Sequence, residues 1–313
     1  MAGTGSRGGI TRRQFLGALL GLGALGGGAL GGWYALRIEP HWIEVTRPVL
    51  EVANLPEPLD GLTIAQLSDT HAGLDDRESI RLLVERVNDL APDLIVLTGD
   101  YLKDPRRDGP LLREDLAALR APHGVYAILG NHDVAKGADR VAGDLQQGGI
   151  TVLRHEAACV EVAGACLWLV GIEDGADSGW SGRLLHIDDL CARWVVRVAR
   201  LESLLDGLPP GDPRILLVHN PDFNECLDPE AVRLDLALCG HTHGGQVRLP
   251  IIGAPVLPSV MGQKYVSGWA EGPASPVYTN RGVGSNLVNV RINARPEITL
   301  LTLRRASTTD ATA

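Results

Sequence analysis

The sequence lacks the excess of basic residues that a nucleic-acid-binding protein needs. Its 313 residues include 29 Lys and Arg against 38 Asp and Glu, which gives a formal net charge of −9. Because phosphate backbones are bound chiefly through Lys and Arg, we expect no nucleic acid among the partners. A nucleotide-containing small molecule remains compatible with this charge, since a bound metal ion supplies its own positive charge.

The chain also lacks cysteine pairs of the CxxC type. Its five cysteines are Cys159, Cys166, Cys191, Cys226 and Cys239. This spacing excludes a zinc ribbon, and the odd number does not indicate a complete disulfide framework. We therefore expect buried apolar thiols, although Cys159 and Cys166 flank a predicted hairpin turn and would face each other across it.

No internal repeat and no long low-complexity linker interrupts the chain after its first 36 residues. A chain of this length can bury its core in one domain. We predict a single domain over residues 37–306 and a disordered tail over residues 307–313.

The first 36 residues have the features of a targeting segment. Residues 11–17 (TRRQFLG) precede an apolar, glycine-rich stretch that runs to Leu36. This pattern resembles the twin-arginine export signal of bacteria, with Gly17 where that signal often has Lys. Because no convincing Ala-x-Ala cleavage site follows, the alternative is a membrane anchor over residues 15–36, with Trp33 at the membrane interface. We expect the twin-arginine export machinery as a partner, association with the membrane, and a location in the periplasm or at the outer face of the cytoplasmic membrane.

Strands and helices alternate through the first half of the predicted domain. Apolar runs predict strands at 62–68, 94–98 and 125–129, with helices between them at 77–90 and 111–119. This order is typical of parallel strands joined by crossover helices. Later runs predict a hairpin at 157–170, a helix from about residue 188, and strands at 215–218, 234–238, 278–280, 287–292 and 298–303. Two sheets packed face to face, with helices outside, accommodate these elements.

Metal-binding side chains follow several of these strands directly. They form the clusters Asp69-Thr70-His71, Gly99-Asp100, Gly130-Asn131-His132-Asp133, His219 and Gly240-His241-Thr242-His243. Alone, the first cluster reads as a helix N-cap and the second as a turn. Together they offer carboxylate, imidazole and amide, which suit Mn, Fe and Zn ions. Because ligands of α/β sheets bind beyond the carboxyl ends of the strands, we expect the clusters to converge. Asp100, which has no neighbouring histidine, is the natural bridge between two ions.

The order Asp-x-His, Gly-Asp, Gly-Asn-His-Asp, His, Gly-His-x-His resembles the calcineurin-like metallophosphoesterase superfamily over nearly the whole domain. The resemblance implies an α/β fold, a four-layer α-β-β-α sandwich in which two mixed β-sheets lie face to face between flanking helices. It also implies a phosphoesterase with two divalent metal ions (Mn, Fe or Zn) as cofactors and a phosphate-ester small molecule or lipid as substrate.

The resemblance also implies roles for individual residues. It places Asp69, His71 and His243 on the first ion, Asp100 between the ions, and Asn131, His219 and His241 on the second ion. His132 then binds no metal and protonates or stabilises the leaving oxygen, with Asp133 orienting it.

The run at residues 240–246 (GHTHGGQ), with Arg248-Leu-Pro after it, and the twin-arginine pattern at the N-terminus resemble an exported or membrane-associated bacterial phosphodiesterase subgroup. This kinship implies hydrolysis of a phosphodiester or pyrophosphate bond, and some relatives act on a UDP-linked diacylglucosamine lipid. The alternatives are a phosphoprotein or phosphomonoester phosphatase of the same fold and an inactive binding module.

Two further features of the sequence leave their roles open. The apolar, proline-rich segment 250–261 is either a packed loop at the domain edge or a wall for acyl chains or membrane docking. Arg281 and Arg291 either contact the substrate phosphate or form salt bridges.

Overall fold

The computed structural model describes residues 28–175, 186–285 and 288–306. The twin-arginine pattern at 11–17, most of the predicted targeting segment and the predicted tail at 307–313 lie outside the described residues. The described chain begins with a helical segment from residue 28 to Ile38. Within the described ranges, no helix combines the length and apolar character needed to cross a bilayer.

Seven strands form the first sheet. They are β1 (Glu44–Thr46), β2 (Val49–Val52), β3 (Thr63–Leu67), β4 (Leu94–Leu97), β5 (Val125–Ala127), β6 (Thr151–Val152) and β13 (Glu297–Arg305). Their order is β1-β13-β3-β4-β5-β6, and β2 also pairs with β13. The β3–β13 pair is antiparallel and the other pairs are parallel, so the carboxyl ends of β3, β4 and β5 lie at one edge.

Six strands form the second sheet. They are β7 (Glu156–Val162), β8 (Ala165–Ile172), β9 (Arg214–Val218), β10 (Leu236–Cys239), β11 (Gly268–Glu271) and β12 (Pro276–Thr279). Their order is β11-β12-β10-β9-β8-β7, with antiparallel pairs at the two ends and parallel pairs in the middle. Both sheets are therefore mixed, as predicted.

Helices cover the outer faces of both sheets. They are α1 (Arg77–Asp89), α2 (Pro105–Asp108), α3 (Asn131–Gln147) and α4 (Ile187–Asp206). In α1 the buried residues Ile80, Leu83, Val84 and Val87 recur at helical spacing, which places them on one face. They pack with α3 against the first sheet, while α4 packs against the second.

Alternating side chains of the strands divide the core into layers. Ile215 and Leu217 of β9 lie between the two sheets, whereas Leu216 points outward under α4. In β3, Ile64 likewise lies between the sheets and Ala65 faces the helices of the first sheet. Successive side chains of a strand point to opposite faces of its sheet. The apolar side chains therefore form one core between the sheets and one core beneath each layer of helices. The predicted four-layer α-β-β-α sandwich is confirmed.

Two expectations about the elements were wrong or incomplete. Residues 288–292 form no strand of either sheet in the described structure, although Val288, Val290 and Ile292 alternate as a strand would. Among the described residues, Ile292 makes an isolated parallel bridge with Val247, and the neighbouring Arg291 donates to backbone carbonyls instead of following the alternation. Leu287, the first residue of the predicted strand, lies outside the described residues. Helix α3 was not predicted, since its first residues belong to a metal-binding cluster that reads as a loop.

Four of the five cysteines form two disulfides, contrary to the expectation of buried thiols. Cys159 and Cys166 join β7 to β8 across their turn. Cys191 of α4 joins Cys226, in the short helix that follows β9. This second pairing arises only because α4 packs against that helix, which the spacing of the cysteines does not reveal. Cys239 is the free thiol, and it is buried.

Candidate metal centre

The predicted ligands lie just beyond the carboxyl ends of parallel strands in both sheets. Asp69 follows β3 and Asp100 follows β4, which are neighbours in the first sheet. His219 follows β9 and His241 follows β10, which are neighbours in the second sheet. Because the two sheets face each other, these four loops meet at one edge of the sandwich.

Asp69, His71 and His243 form the first buried triad. One potential ligand atom from each lies within 4.8 Å of the others. His243 Nε2 lies 3.3 Å from Asp69 Oδ1 and 3.2 Å from His71 Nε2. Two imidazole nitrogens at this distance repel each other if both present lone pairs, so a proton or a cation must lie between them. The triad therefore fits a metal ion.

Asp100, His219 and His241 form the second buried triad, with ligand atoms within the same 4.8 Å limit. His219 Nε2 lies 3.2 Å from Asp100 Oδ2. The other ring nitrogen, Nδ1, lies 2.6 Å from the carbonyl oxygen of Thr98. Because a carbonyl only accepts, Nδ1 carries the hydrogen and Nε2 is left to bind a metal.

The two triads adjoin each other. His71 Nε2, from the first triad, lies 3.6 Å from Asp100 Oδ2 of the second. His219 Nε2, from the second triad, lies 3.8 Å from Asp69 Oδ1 of the first. Carboxylates within reach of histidines from both triads are what a pair of neighbouring ions requires.

Several buried atoms of the predicted ligands have no hydrogen-bond partner in the described chain. They include Asp69 Oδ1, Asn131 Oδ1, His241 Nε2 and His243 Nδ1. An unsatisfied buried polar group costs about 1–3 kcal/mol, so a cluster of them needs a compensating ligand. Carboxylate, imidazole and amide donors fit divalent Mn, Fe or Zn, and these residues are therefore suited to hold such ions.

The backbone of the predicted ligands is strained. Five of them have positive φ angles: Asp69 (52°), His71 (39°), Asp100 (60°), His241 (71°) and His243 (51°). A residue other than glycine in this region costs about 1–3 kcal/mol unless its side chain compensates locally. Strain gathered on the metal-binding side chains indicates that the fold holds them in place for a function.

Among the described residues, hydrogen bonds to the carboxylate of Asp69 fix one of its two oxygens. Its Oδ2 accepts hydrogen bonds from the Ser68 hydroxyl at 2.6 Å and from the His241 amide at 2.9 Å. Gly240 permits this approach, because a Cβ there would lie 1.9 Å from Ser68 Oγ. Oδ1 is thereby left facing the histidines, as a ligand atom should be.

Asp133 does not orient the ring of His132 as expected. Its Oδ2 accepts hydrogen bonds from the amides of Asp100 (2.6 Å) and Gly130 (3.0 Å), and Oδ1 accepts one from Tyr101 (3.0 Å). Across the described ranges, none of its hydrogen bonds comes from the His132 ring. The reason is its position in the first turn of α3, where its carboxylate caps the helix and clamps the loop that carries Asp100.

His132 stands beside the triads rather than within them. Its ring lies edge-on to His71, with 5.1 Å between ring centroids, and it is less buried than the triad histidines. Its backbone amide donates to Asp100 Oδ1 at 2.9 Å. Partial burial lowers the pKa of His132 below its ordinary value.

The pKa values of the triad residues favour the binding of cations. Burial lowers the pKa of His241 to about 4 and that of His243 to about 3, so both rings are neutral at pH 7. Burial opposes ionisation of Asp69 and Asp100, but the neighbouring His219 helps to hold the pKa of both carboxyls well below its usual range. Burial lowers the pKa of His219 itself, yet the two carboxylates raise it well above its ordinary value, so a metal ion at this ring would replace a proton. Ionised carboxylates and neutral imidazoles are the forms that bind metals.

A loop that the sequence did not reveal supports the first triad. The amide of Val283 donates to the Ser68 carbonyl at 3.1 Å, and the amide of Gly284 donates to the Asp69 carbonyl at 2.8 Å. Arg291, which is fully buried, donates to the carbonyls of Arg281 and Gly282 and so holds this loop. The two glycines that flank Val283, Gly282 and Gly284, were the only feature of the sequence that indicated this loop.

Both arginines make contacts within the protein. Arg291 binds backbone carbonyls, and Arg281 forms ion pairs with Glu297 at 2.6 Å and Glu44 at 3.0 Å. Of the two arginines, only Arg281 forms the expected salt bridges among the described residues, and a contact of either side chain with the substrate phosphate stays a prediction.

Comparison with known proteins identifies the class. Residues 62–245 match the family described as Calcineurin-like phosphoesterase, and all seven predicted metal ligands lie in this range. The chain belongs to this family. With its two buried Asp/His triads, it is a metallophosphoesterase, a hydrolase of phosphate esters.

Individual relatives align along almost the full chain. YkuE of Bacillus subtilis (strain 168), an uncharacterized metallophosphoesterase, is 35% identical over 309 residues, covering 94% of this chain and 98% of the relative. The phosphodiesterase YaeI of Escherichia coli (strain K12) is 34% identical over 305 residues, covering 94% and 99%. An uncharacterized metallophosphoesterase of Aquifex aeolicus (strain VF5) is 29% identical over 273 residues, covering 85% and 94%.

Proposed function

We propose that residues 37–306 hydrolyse a phosphodiester or pyrophosphate bond with the help of two divalent ions (Mn, Fe or Zn). In this proposal Asp69, His71 and His243 hold one ion. Asn131, His219 and His241 hold the other, and Asp100 bridges them. The observation that carries the proposal is that Asp100 Oδ2 lies 3.6 Å from His71 Nε2 and 3.2 Å from His219 Nε2, between the two triads. The 34% identity to the phosphodiesterase YaeI favours a diester over a monoester substrate.

The ions, when bound, supply activation of a water molecule and polarisation of the phosphoryl oxygens. The side chains of the protein fix the position of the bridging carboxylate and supply a proton for the leaving oxygen. The half-buried ring of His132, beside His71, is positioned to protonate or stabilise the leaving oxygen. Asp133 is a positioning residue, because it holds the amides of Asp100 and Tyr101 and so fixes the bridging carboxylate.

For the substrate we propose a lipid-linked or nucleotide-lipid molecule of the UDP-diacylglucosamine type. The apolar segment 250–261 lies directly against the metal-binding loops, which supports an apolar portion in the substrate. Ala254 is packed so closely on Gly245, two residues after His243, that a Cβ on the glycine would lie 2.2 Å from Ala254 Cβ.

We further propose export by the twin-arginine route to the periplasm or the outer face of the cytoplasmic membrane, with residues 15–36 as signal or anchor. The two disulfides support this location, because disulfides persist in oxidising compartments. The exposure of Trp33 and Leu36 in the first described helical segment supports contact with the membrane.

The test of the proposed function is turnover of bis-p-nitrophenyl phosphate by metal-free protein to which Mn is added back. We expect turnover to appear with the metal and to disappear with a chelator. Absence of turnover with every divalent ion would indicate the inactive binding module. A panel of UDP-lipid, glycerophosphodiester and phosphopeptide substrates then separates a phosphodiesterase or pyrophosphatase from a protein phosphatase.

A further inference from the structure

Three segments of the chain lie side by side next to the metal centre: 28–49, 246–269 and 288–296. The amide of Arg291 donates to the carbonyl of Ala35 at 3.0 Å, which ties the third segment to the first. The amide of Arg248 donates to the carbonyl of Ile292 at 2.8 Å, which ties the second to the third. These hydrogen bonds hold the three segments next to one another.

This part of the surface exposes large apolar side chains. We call the apolar face the set Leu30, Trp33, Leu36, Ile251, Ile252 and Val256. Ile251 is fully exposed, and Ile252 is 66% exposed. Single exposed apolar residues are common, but several of them on segments that adjoin each other indicate an interaction site.

Ile251 stands at the tip of a tight turn in an unfavourable conformation. The turn is closed by two hydrogen bonds between Leu249 and Gly253, of 2.8 and 2.9 Å. Ile251 has a φ of 71°, which a β-branched residue rarely adopts. Glycine or asparagine would relieve both the strain and the exposure of apolar surface to water. Since the fold gains nothing from isoleucine at this position, the side chain points to a contact outside the protein.

The surroundings of the apolar face are basic, although the chain as a whole is acidic. The accessible charged groups of the three segments are the cations Arg37, Arg47, Arg248, Lys264 and Arg295 and the carboxylate Glu44, whereas Arg291 and Glu39 are buried. Lys264 pairs with Glu225 of a neighbouring loop, which leaves the arginines as the positive charge. The formal net charge of the whole chain is −9. Positive charge around an apolar patch complements a lipid surface with anionic head groups.

We propose that the apolar face docks on an anionic lipid bilayer, with Ile251 and Ile252 among the acyl chains and the arginines at the level of the head groups. The sequence before residue 28 is apolar from Phe15 onward, so the face continues the stretch already expected at a membrane. Trp33 has the amphipathic side chain typical of the membrane interface. The proposal concerns lipid binding and stands without the proposed hydrolytic activity.

Docking of this face would bring the metal centre to the bilayer. Asp222, three residues after His219, accepts hydrogen bonds from the Ser259 hydroxyl at 2.6 Å and the Val260 amide at 2.8 Å. Thr242, between the two histidines of its cluster, donates to the carbonyl of Val266 at 2.9 Å. The loop that carries Ile251 is thereby fastened to loops of both triads.

An environment-sensitive fluorophore on a single introduced cysteine tests the docking in the full-length protein. Cys239 is buried and the other cysteines are paired, so Ile251→Cys is labelled selectively. We expect the emission to shift to shorter wavelength when phosphatidylglycerol vesicles are added, and to shift less with phosphatidylcholine vesicles. The control is Val196→Cys on α4, which is 76% exposed and outside the apolar face, and its emission should not change.

Several results would overturn the proposal. They are no shift at position 251, an equal shift at both labelled positions, and an equal response to charged and neutral vesicles. A shift without vesicles that grows with protein concentration would identify a second copy of the chain as the occupant and would also overturn it.

A matched pair of double variants gives a second test by vesicle sedimentation. Ile251→Glu with Ile252→Glu should lower the partition coefficient at least about tenfold, because two buried apolar side chains are replaced by charges. Val195→Glu with Val196→Glu changes two exposed valines of α4 in the same way and should leave partition unchanged. An unchanged midpoint of thermal unfolding in both variants verifies the fold. Equal loss of vesicle binding in both variants would contradict the proposal.

Discussion

Two regions of this molecule reverse the usual distribution of side chains, in opposite directions. At the metal centre, carboxylates and imidazoles such as Asp69 and His219 are completely buried. On the apolar face, Ile251 is completely exposed. Between these regions the strands follow the ordinary alternation that builds the three cores. Both reversals weaken the isolated fold, which indicates that each region is completed by something outside the chain.

The two regions differ in how firmly they are held. Each metal-binding aspartate has one oxygen fixed by protein donors, as in the bonds of Ser68 to Asp69 and of the His132 amide to Asp100. The turn at Ile251 is closed by two backbone hydrogen bonds between Leu249 and Gly253. A metal site requires fixed ligand geometry, whereas a lipid surface adapts to the side chains that enter it. Substitutions at the metal centre should therefore impair metal binding and spare lipid binding, and substitutions on the apolar face should do the reverse.

The largest effect is expected from Asp100→Asn. The amide removes the charge that lies between His71 and His219, so both bound metal and turnover should fall to background while vesicle binding persists. The measurement is elemental analysis together with diester hydrolysis. Asp104→Asn is the control in the same loop, where the carboxylate caps α2 through the Arg106 amide. An Asp100→Asn protein with two ions and the wild-type rate would contradict the bridging role.

His132→Ala should separate metal binding from chemistry. Because His132 lies beside the triads and not in them, the metal content should stay near wild type. The loss of a positioned acid should lower kcat by roughly 10²–10⁴. His123→Ala, in a loop outside the site, is the control and should change neither quantity. Loss of metal from the His132→Ala protein would instead identify that residue as a ligand.

Ser68→Ala tests whether the fixed oxygen of Asp69 matters. Without the hydroxyl donor at Oδ2, the carboxylate is free to turn, and metal affinity should fall about 10–100-fold. The value of kcat at saturating metal should be nearly restored. Ser203→Ala, exposed on α4, serves as the comparison. Unchanged metal affinity would show that this hydrogen bond does not position the ligand.

The smallest effect on activity is expected from Asp222→Asn, which acts on stability. Burial raises the pKa of Asp222 to about 6 in the folded protein, against 3.8 for the ordinary group. The folded state thus binds this proton more tightly than the unfolded state does, so protonation of Asp222 stabilises the fold. This stabilisation is complete below about pH 4 and is lost as the pH rises through 6. A pKa difference of this size corresponds to about 3 kcal/mol.

The asparagine variant cannot titrate, so its free energy of unfolding should fall less between pH 4 and pH 7 than that of the wild type. Urea denaturation at several pH values measures the difference. Glu230→Gln, at an exposed position in the following loop, should keep the wild-type pH dependence. The same pH dependence in Asp222→Asn and wild type would show that Asp222 does not carry this linkage.

The sequence predicted the parts of the fold that follow from simple periodicity. The buried strands β3, β4 and β9 are short apolar runs bounded by loops, and α1 has a clear apolar stripe. Helix α3 escaped prediction, because its first turn consists of Asn131, His132 and Asp133. A functional cluster there overrides the usual pattern of a helix start.

Tertiary packing accounts for what the sequence did not show. The alternation of Val288, Val290 and Ile292 indicated a strand, yet the neighbouring Arg291 is buried among backbone carbonyls and the segment joins neither sheet. The Cys191–Cys226 bond and the use of Asp133 as a backbone clamp likewise depend on how distant segments meet. The order of the motifs predicted that the metal-binding side chains lie close together, because the carboxyl ends of the strands meet at one edge. It did not reveal Ser68 or Thr98, the polar groups that orient them.

In the proposed function the two triads hold two ions that act together. Titration of metal-free protein with Mn, followed by metal stoichiometry and diester turnover on the same samples, tests it most directly. We predict that two equivalents bind per chain and that turnover reaches its maximum only with the second equivalent. Full turnover with one ion per chain, or with none, would contradict the account.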